Sequence, residues 1–224
     1  MNSASPDASE RDGGKPRVPT QDAACLILVD RSGPAPKILM GRRASAHVFM
    51  PNVYVFPGGR RDRSDHALPF NGDLNPLVMQ KLLTGVSSRM GPARARALAL
   101  AALRELREET GIRPINDTGF DLGTLRYVAR AITPPGSVRR YDTRFFLSFC
   151  EETVFDMSHF GDTDELEDLQ WLDIAMVSSL KLARITQTVL GDVKDLMKLD
   201  PSVSFGNPVP FYSMRRGRFV QTRL

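Results

Sequence analysis

The sequence predicts an α/β (α+β) fold: an α/β/α sandwich with a mixed β-sheet flanked by helices. Three observations predict it. Short apolar runs alternate with Pro- and Gly-containing turns, a long alanine- and leucine-rich stretch of helical period lies between them, and a second helical stretch closes the pattern. Gln21–Asp30 and residues 37–42, separated by a Ser-Gly-Pro-Ala-Pro turn, read as an opening β-hairpin. Residues 53–56 form a third strand ended by Pro57, Gly58 and Gly59. Residues 123–132 and 139–150 are two more, joined by a Thr-Pro-Pro-Gly turn, and 169–172 is the last, about six in all. The clearest helix is Pro92–Thr110, with proline near its start and Gly111 after its end. Residues 76–86, with Asn75 as N-cap, and 185–199 are further helices, and 174–180 is a candidate short one.

At 224 residues the chain is one large domain, or one domain with an insertion. With 42% hydrophobic and 25% charged residues, fibrous and disordered classes are excluded. No apolar run approaches the roughly 18–20 residues of a membrane span. Residues 1–20 are polar and lack the apolar segment of a secretory signal, so a disordered leader is expected there. Cys25 and Cys150 lie in strand-like runs and read as small buried hydrophobes in a reducing compartment, the cytoplasm by default. The net charge of +4 is matched by Arg215, Arg216, Arg218 and Arg223, which lie in a segment without acids. Residues 200–224 are thus expected to be a basic C-terminal tail beyond a domain spanning 21–199. Basic residues gathered in a tail, rather than spread along a face with aromatics, argue against a nucleic-acid surface.

The chemistry is concentrated in Arg104-Glu105-Leu106-Arg107-Glu108-Glu109-Thr110-Gly111-Ile112. On a helix, positions i, i+3 and i+4 share a face, so Glu105, Glu108 and Glu109 converge. Their mutual repulsion would be relieved by a hard divalent cation, Mg²⁺ or Mn²⁺. A solvated charged face fits the same residues, because Arg104 and Glu108 form an ordinary i,i+4 pair. His47, His66 and His159 show no ligand spacing.

Combined with Phe56-Pro57-Gly58-Gly59, this segment resembles the Nudix hydrolase family, whose signature is G-x5-E-x7-R-E-U-x-E-E-x-G-U, where U is a bulky aliphatic residue. Arg104, Glu105, Leu106, Glu108, Glu109, Gly111 and Ile112 fill every fixed position of its second half. In the first half, six places after Gly59 stands Asp65 rather than Glu. Arg104 follows Asp65 by 39 places instead of eight, a 31-residue insertion that places a helical segment at about 66–95. Counting back eight places from Arg104 finds Arg96, a base where the signature has an acid. The resemblance implies that Glu105, Glu108, Glu109 and the Gly59 carbonyl hold the metal and that Arg104 orients the glutamates. It also implies metal-dependent hydrolysis of a diphosphate linkage. In many relatives a general base lies on a later loop; the run from Thr163 to Asp168 is the comparable place, with Glu165 favoured over Glu167.

The substrate is expected to be a small nucleoside diphosphate derivative, with no membrane partner and at most a second copy of the chain, a homodimer. Residues 38–59 can be laid beside the motif of coenzyme A-cleaving relatives, L-L-T-x-R-[SA]-x3-R-x3-G-x3-F-P-G-G. Leu39, Arg43, Ala44 and Phe56 fit, whereas Gly41, Val48 and Asn52 depart from it. Arg42 and Arg43 are therefore candidate phosphate contacts and Phe56 a further substrate contact. Coenzyme A or acyl-coenzyme A is favoured over ADP-ribose and dinucleotides; a non-catalytic nucleotide-sensing module is the rival class. Strand alternation places Tyr141, Thr143 and Phe145 on one side and Arg140, Asp142, Arg144 and Phe146 on the other. A mixed aromatic and polar face there could hold an adenine, which brings Arg144 into the expected substrate contacts.

Overall fold

The computed structural model describes residues 18–44, 52–84, 90–115, 119–177, 180–215 and 217–224. Most of the expected leader, Val48 and part of the segment expected at 66–95 lie outside them. The described strands are β1 (Gln21–Asp30), β2 (Lys37–Arg43), β3 (Tyr54–Val55), β4 (Gly58–Arg60), β5 (Arg113–Pro114), β6 (Arg126–Ile132), β7 (Tyr141–Phe149), β8 (Phe155–Asp156), β9 (Leu166–Asp173), β10 (Pro210–Arg215) and β11 (Arg218–Arg223). The helices are α1 (Pro76–Leu83), α2 (Pro92–Thr110) and α3 (Arg184–Leu199).

One mixed sheet runs in the order β11-β10-β6-β7-β1-β2-β3, with β4 also paired to β1 and β9 to β2. β1 is its centre. It pairs in parallel with β7 from Gln21↔Tyr141 to Val29↔Phe149, and antiparallel with β2 near the hairpin turn and with β4 near its start. Both faces of β1 are covered, which explains why it reads as a nearly continuous apolar run rather than an alternating one. Ala24, Leu26 and Leu28 join Leu98, Leu106 and Phe146 in the core under α2. Ile27 and Val29 join Met40, Phe145, Val189 and Val193 in the core under α3. The expected mixed sheet between helical layers is therefore present.

α2 spans the residues expected. Pro92 occupies its first turn and Gly111 caps it at φ 75°, the left-handed region that glycine enters freely. A Cβ at Gly111 would also collide with the His159 carbonyl. Small residues such as Ala95, Ala99 and Ala102 let this helix lie close on the sheet, and all three are fully buried. α1 ends at Leu83, short of the expected 86, and seats Val78 and Leu82 in the α2 core. Residues 122–124 form a short 3-10 turn rather than strand, because Asp121 accepts a bond from the Gly123 N–H at 2.8 Å. Residues 174–176 form turns, Val177 is in 3-10 conformation, and 178–179 of the expected short helix lie outside the described residues.

The principal difference from the sequence reading is at the end of the chain. The expected basic tail contains the β10–β11 hairpin, and β10 pairs in parallel with β6 through Phe211↔Arg130 and Tyr212↔Ala131. It buries Tyr212 at 3% exposure against α3. The arginines drew attention to charge, although the aromatic and apolar residues between them, Phe211, Tyr212, Met214, Phe219 and Val220, favour strand.

Candidate active site

Successive residues on α2 are turned by about 100°, so Glu109 stands about 40° from Glu105, while Glu108 lies on the flank of both. Burial follows that geometry. Glu105 is 9% and Glu109 2% exposed. Glu108 is half exposed and accepts a hydrogen bond from Arg104 Nη1 at 2.7 Å. The acidic face expected of three residues is thus divided: two glutamates turn inward and the third faces Arg104.

Backbone without side chains receives the inward pair. Gly59 lies on β4 opposite Ala24 of β1, and a Cβ there would collide with the Glu105 carboxylate. The Gly58 N–H donates to Glu109 Oε2 at 2.7 Å. Gly59 lets the Glu105 carboxylate come against the chain, while a Cβ at Gly58 would collide with Ala24 and Cys25 of β1.

Arg104 is the hub of this corner. Its Nε donates to Asp65 Oδ1 at 2.7 Å, its Nη2 to the Arg60 carbonyl at 3.0 Å, and its Nη1 lies 2.9 Å from Glu105 Oε1. Asp65 is fully buried and also accepts the Asp62 N–H at 2.6 Å. It is a positioning residue that the sequence analysis left outside its site residues. Its signal was the six-place spacing from Gly59, but its partner is 39 residues away and invisible to local pattern. Arg96, the other position weighed there, instead holds Asp73 through Nε at 2.8 Å.

Glu165 arrives from the turn before β9. Its carbonyl accepts the Ala44 N–H at 3.2 Å, and its own N–H donates to Thr163 Oγ1 at 3.3 Å. Thr163 Oγ1 in turn donates to the Glu109 carbonyl at 3.2 Å. One carboxylate oxygen from each of Glu105, Glu109 and Glu165 lies within 4.8 Å of the other two. Burial is the main cause that pushes Glu105 up to about 7 and Glu109 up to about 8; the charges of Glu108 and Glu165 also raise Glu105, and those of Glu105 and Glu165 raise Glu109. Arg104 and the Gly58 N–H oppose the shift without cancelling it. Convergent oxygens that the protein leaves short of positive charge are a donor set suited to a hard divalent cation.

Of the remaining expected residues, Glu167 pairs with Arg42 at 3.0 Å, both side chains more than a third exposed, on neighbouring positions of β9 and β2. Arg43, on the opposite side of β2, lines a cavity of about 750 Å³; its Nε is buried and has no hydrogen-bond partner among the described residues. Phe56 lines the same cavity and meets Phe145 edge to face at 6.4 Å. Gly58, the residue whose N–H holds Glu109, is also in its wall. Tyr141, Thr143 and Phe145 line it as the alternation implied. Arg144 does not. It is 2% exposed on the other face of β7, with Nη1 3.1 Å from Asp22 and 3.3 Å from Asp142. Because β7 is covered on both sides, facing away from the cavity means burial in a charge network, which corrects the expectation of a substrate contact.

Comparison with known proteins agrees with this geometry. Residues 94–190 match the NUDIX domain model. The chain is similar to a NUDIX hydrolase from Alicyclobacillus acidocaldarius, with 26% identity and a TM-score of 0.56, covering 78% of this chain and 90% of that one. It also resembles in fold the Nudix hydrolase RenU from M. smegmatis, at 16% identity and a TM-score of 0.50, covering 84% and 98% of the two chains. The NUDIX domain of Shewanella oneidensis NrtR, solved with ADP ribose, is similar at 15% identity and a TM-score of 0.50, covering 84% and 92%. No curated protein matches the chain. The domain match and the Alicyclobacillus likeness support a Nudix hydrolase, with the α+β Nudix fold.

Proposed function

We propose that this Nudix hydrolase cleaves the diphosphate linkage of coenzyme A or an acyl-coenzyme A, using Mg²⁺ or Mn²⁺. The observation that carries the reading is the convergence of Glu105, Glu109 and Glu165 beside a cavity whose wall includes Arg43. Glu105 and Glu109 would hold the cation, with the Gly59 carbonyl and, after a change of rotamer, Glu108 as the further donors, and Glu165 faces them as the base. Such a cation supplies charge screening of the diphosphate and acidifies a water molecule. Arg104 keeps Glu105 and Glu108 in place through its bonds to both and to Asp65. Arg43, in the cavity wall, donates to a phosphate oxygen. In the reaction a water oxygen bonds to one phosphorus and the bridging oxygen leaves with the other phosphate. The water proton passes to Glu165, giving two phosphorylated products.

One feature favours coenzyme A within this class. Asn52, which stands where the coenzyme A motif has glycine, holds φ 57°, a conformation that asparagine tolerates in glycine's stead. ADP-ribose is the second reading, favoured by the ADP ribose bound to the NrtR domain. Incubation of coenzyme A, acyl-coenzyme A, ADP-ribose and dinucleotides with Mg²⁺ or Mn²⁺, with products separated by chromatography, tests both. Fastest turnover of coenzyme A species supports the first reading, and turnover confined to ADP-ribose the second. Tight binding without turnover of any member would mark a nucleotide sensor.

A further inference from the structure

The cavity that starts at Arg43 and Gly58 crosses the sheet. Cys25 on β1, Phe145 on β7, Ala131 on β6, Tyr212 on β10 and Phe219 on β11 all line it. Register makes these residues transverse neighbours: Cys25 pairs with Phe145, Phe145 lies two places from the Ala131 partner Thr143, and Ala131 pairs with Tyr212. From β2 to β10 there are four interstrand steps, about 19 Å at ~4.8 Å each. An extended diphosphate carrying a ring system has that reach.

The far end is built differently from the near one. Phe219 is 47% exposed on the outermost strand, yet its ring is fixed from behind. It lies stacked on Tyr212 at 5.6 Å with an interplanar angle of 12°. Tyr212 is itself anchored: its hydroxyl donates to Asp192 Oδ2 of α3 at 2.5 Å and accepts from Gln221 Nε2 at 3.0 Å. Arg184, the first residue of α3, brings its guanidinium carbon to 5.5 Å from the Phe219 ring centroid. A flat, prepositioned aromatic surface with a guanidinium over it suits a planar π-system, which can stack on one and be capped by the other. An alkyl chain would gain little from the guanidinium and would strip water from it.

We infer that Phe219 and Arg184, backed by Tyr212, form the subsite for the base of the nucleoside. The C-terminal hairpin then sets specificity for the nucleoside half, while the acids and Arg43 hold the diphosphate. This assignment rests on the proposed orientation with phosphates at the Arg43 end.

The test is fluorescence binding of etheno-adenosine diphosphate to the full chain without added metal. Stacking of a base on an aromatic side chain contributes ~1–3 kcal/mol, so Phe219→Ala should weaken binding roughly tenfold or more. Phe219→Tyr should restore it, and Arg184→Ala should weaken it less. The Mg²⁺-induced rise in melting temperature should be the same in all, since none of these residues touches the acidic cluster. With a cleaved substrate, Phe219→Ala should raise KM while kcat stays near wild type. Equal affinity of wild type and Phe219→Ala overturns the subsite, as does a loss confined to acyl-bearing ligands. Binding through Phe219 by a wild-type protein that cleaves no diphosphate keeps the subsite and removes the hydrolase reading. Cleavage with KM unchanged in Phe219→Ala does the reverse.

Discussion

Two clusters of buried charge share this sheet, and they are balanced in opposite ways. Around Asp22 and Asp142, the chain supplies its own cations. Arg94 Nε lies 2.6 Å and Arg61 Nε 3.3 Å from Asp22, Arg130 holds Asp142 through two bonds of 2.8 Å, and Arg144 reaches both acids. Burial pushes Asp22 up, but Arg144 and Arg94 outweigh it and leave the carboxyl below its usual range. Around Glu105 and Glu109 the balance fails: burial wins and both carboxyls rise to about 7 and 8. Burial of acids is common to both clusters and so does not identify the site. What separates them is whether the neutralising charge comes from within the chain.

The strongest way to break this contrast is to neutralise the unbalanced acids. Glu105→Gln or Glu109→Gln should lower turnover by orders of magnitude, while leaving the melting temperature in EDTA unchanged or higher, because a repulsive pair is relieved. The Mg²⁺-induced thermal shift should vanish in both. A drop in melting temperature without metal would instead make them structural.

The same operation on the balanced cluster should have the opposite signature. Asp22→Ala leaves Arg61, Arg94 and Arg144 without a shared partner, at a cost of about 3–5 kcal/mol in urea unfolding. At permissive temperature its KM should be near that of wild type. Retained stability with lost turnover would show that the two clusters were assigned the wrong way round.

Their pH dependences should run in opposite directions. In EDTA, Glu105 and Glu109 bind protons more tightly folded than unfolded, whose reference is 4.5. Their contribution to stability is present below that value and lost as pH rises through 7 to 8. The contribution of Asp22 is present above its unfolded value of 3.8 and lost as pH falls through its lower folded value. Melting curves from acid to mild alkali, compared with Glu109→Gln and Asp22→Asn, separate the two: each variant should flatten only its own limb.

The smallest effect is expected at Arg42 and Glu167, an exposed pair of opposite charges. Arg42→Ala or Glu167→Gln should cost less than about 1 kcal/mol and leave turnover nearly intact. Glu165→Gln should slow turnover far more. A larger loss at Glu167 than at Glu165 would exchange their roles.

How much of this was legible in the sequence follows from the range of each interaction. α2 was legible to the residue, because Pro92, Gly111 and the small-residue stripe act within a few positions of themselves. The acids were legible as a face, but the outward turn of Glu108 needed the position of Arg104 relative to Asp65, a contact spanning 39 residues. Glu165 could be singled out only as one acid in an acidic run, since what selects it is the Thr163 hydroxyl bridging to the end of α2. Arg144 was misread because alternation tells which residues share a face but not which face looks into a cavity. The final hairpin was hidden by its own arginines, whose charge drew attention from the aromatic and apolar residues beside them.

Those arginines also guard the rim of the sheet. β11 is its last strand, with Arg218 and Arg223 exposed upon it. An outermost strand offers unpaired backbone to any extended segment that drifts past, and bulky like charges discourage such additions. The charge of Arg218 and Arg223 is thus of the kind that discourages a neighbouring molecule from continuing the ladder, a use that involves no phosphate at all.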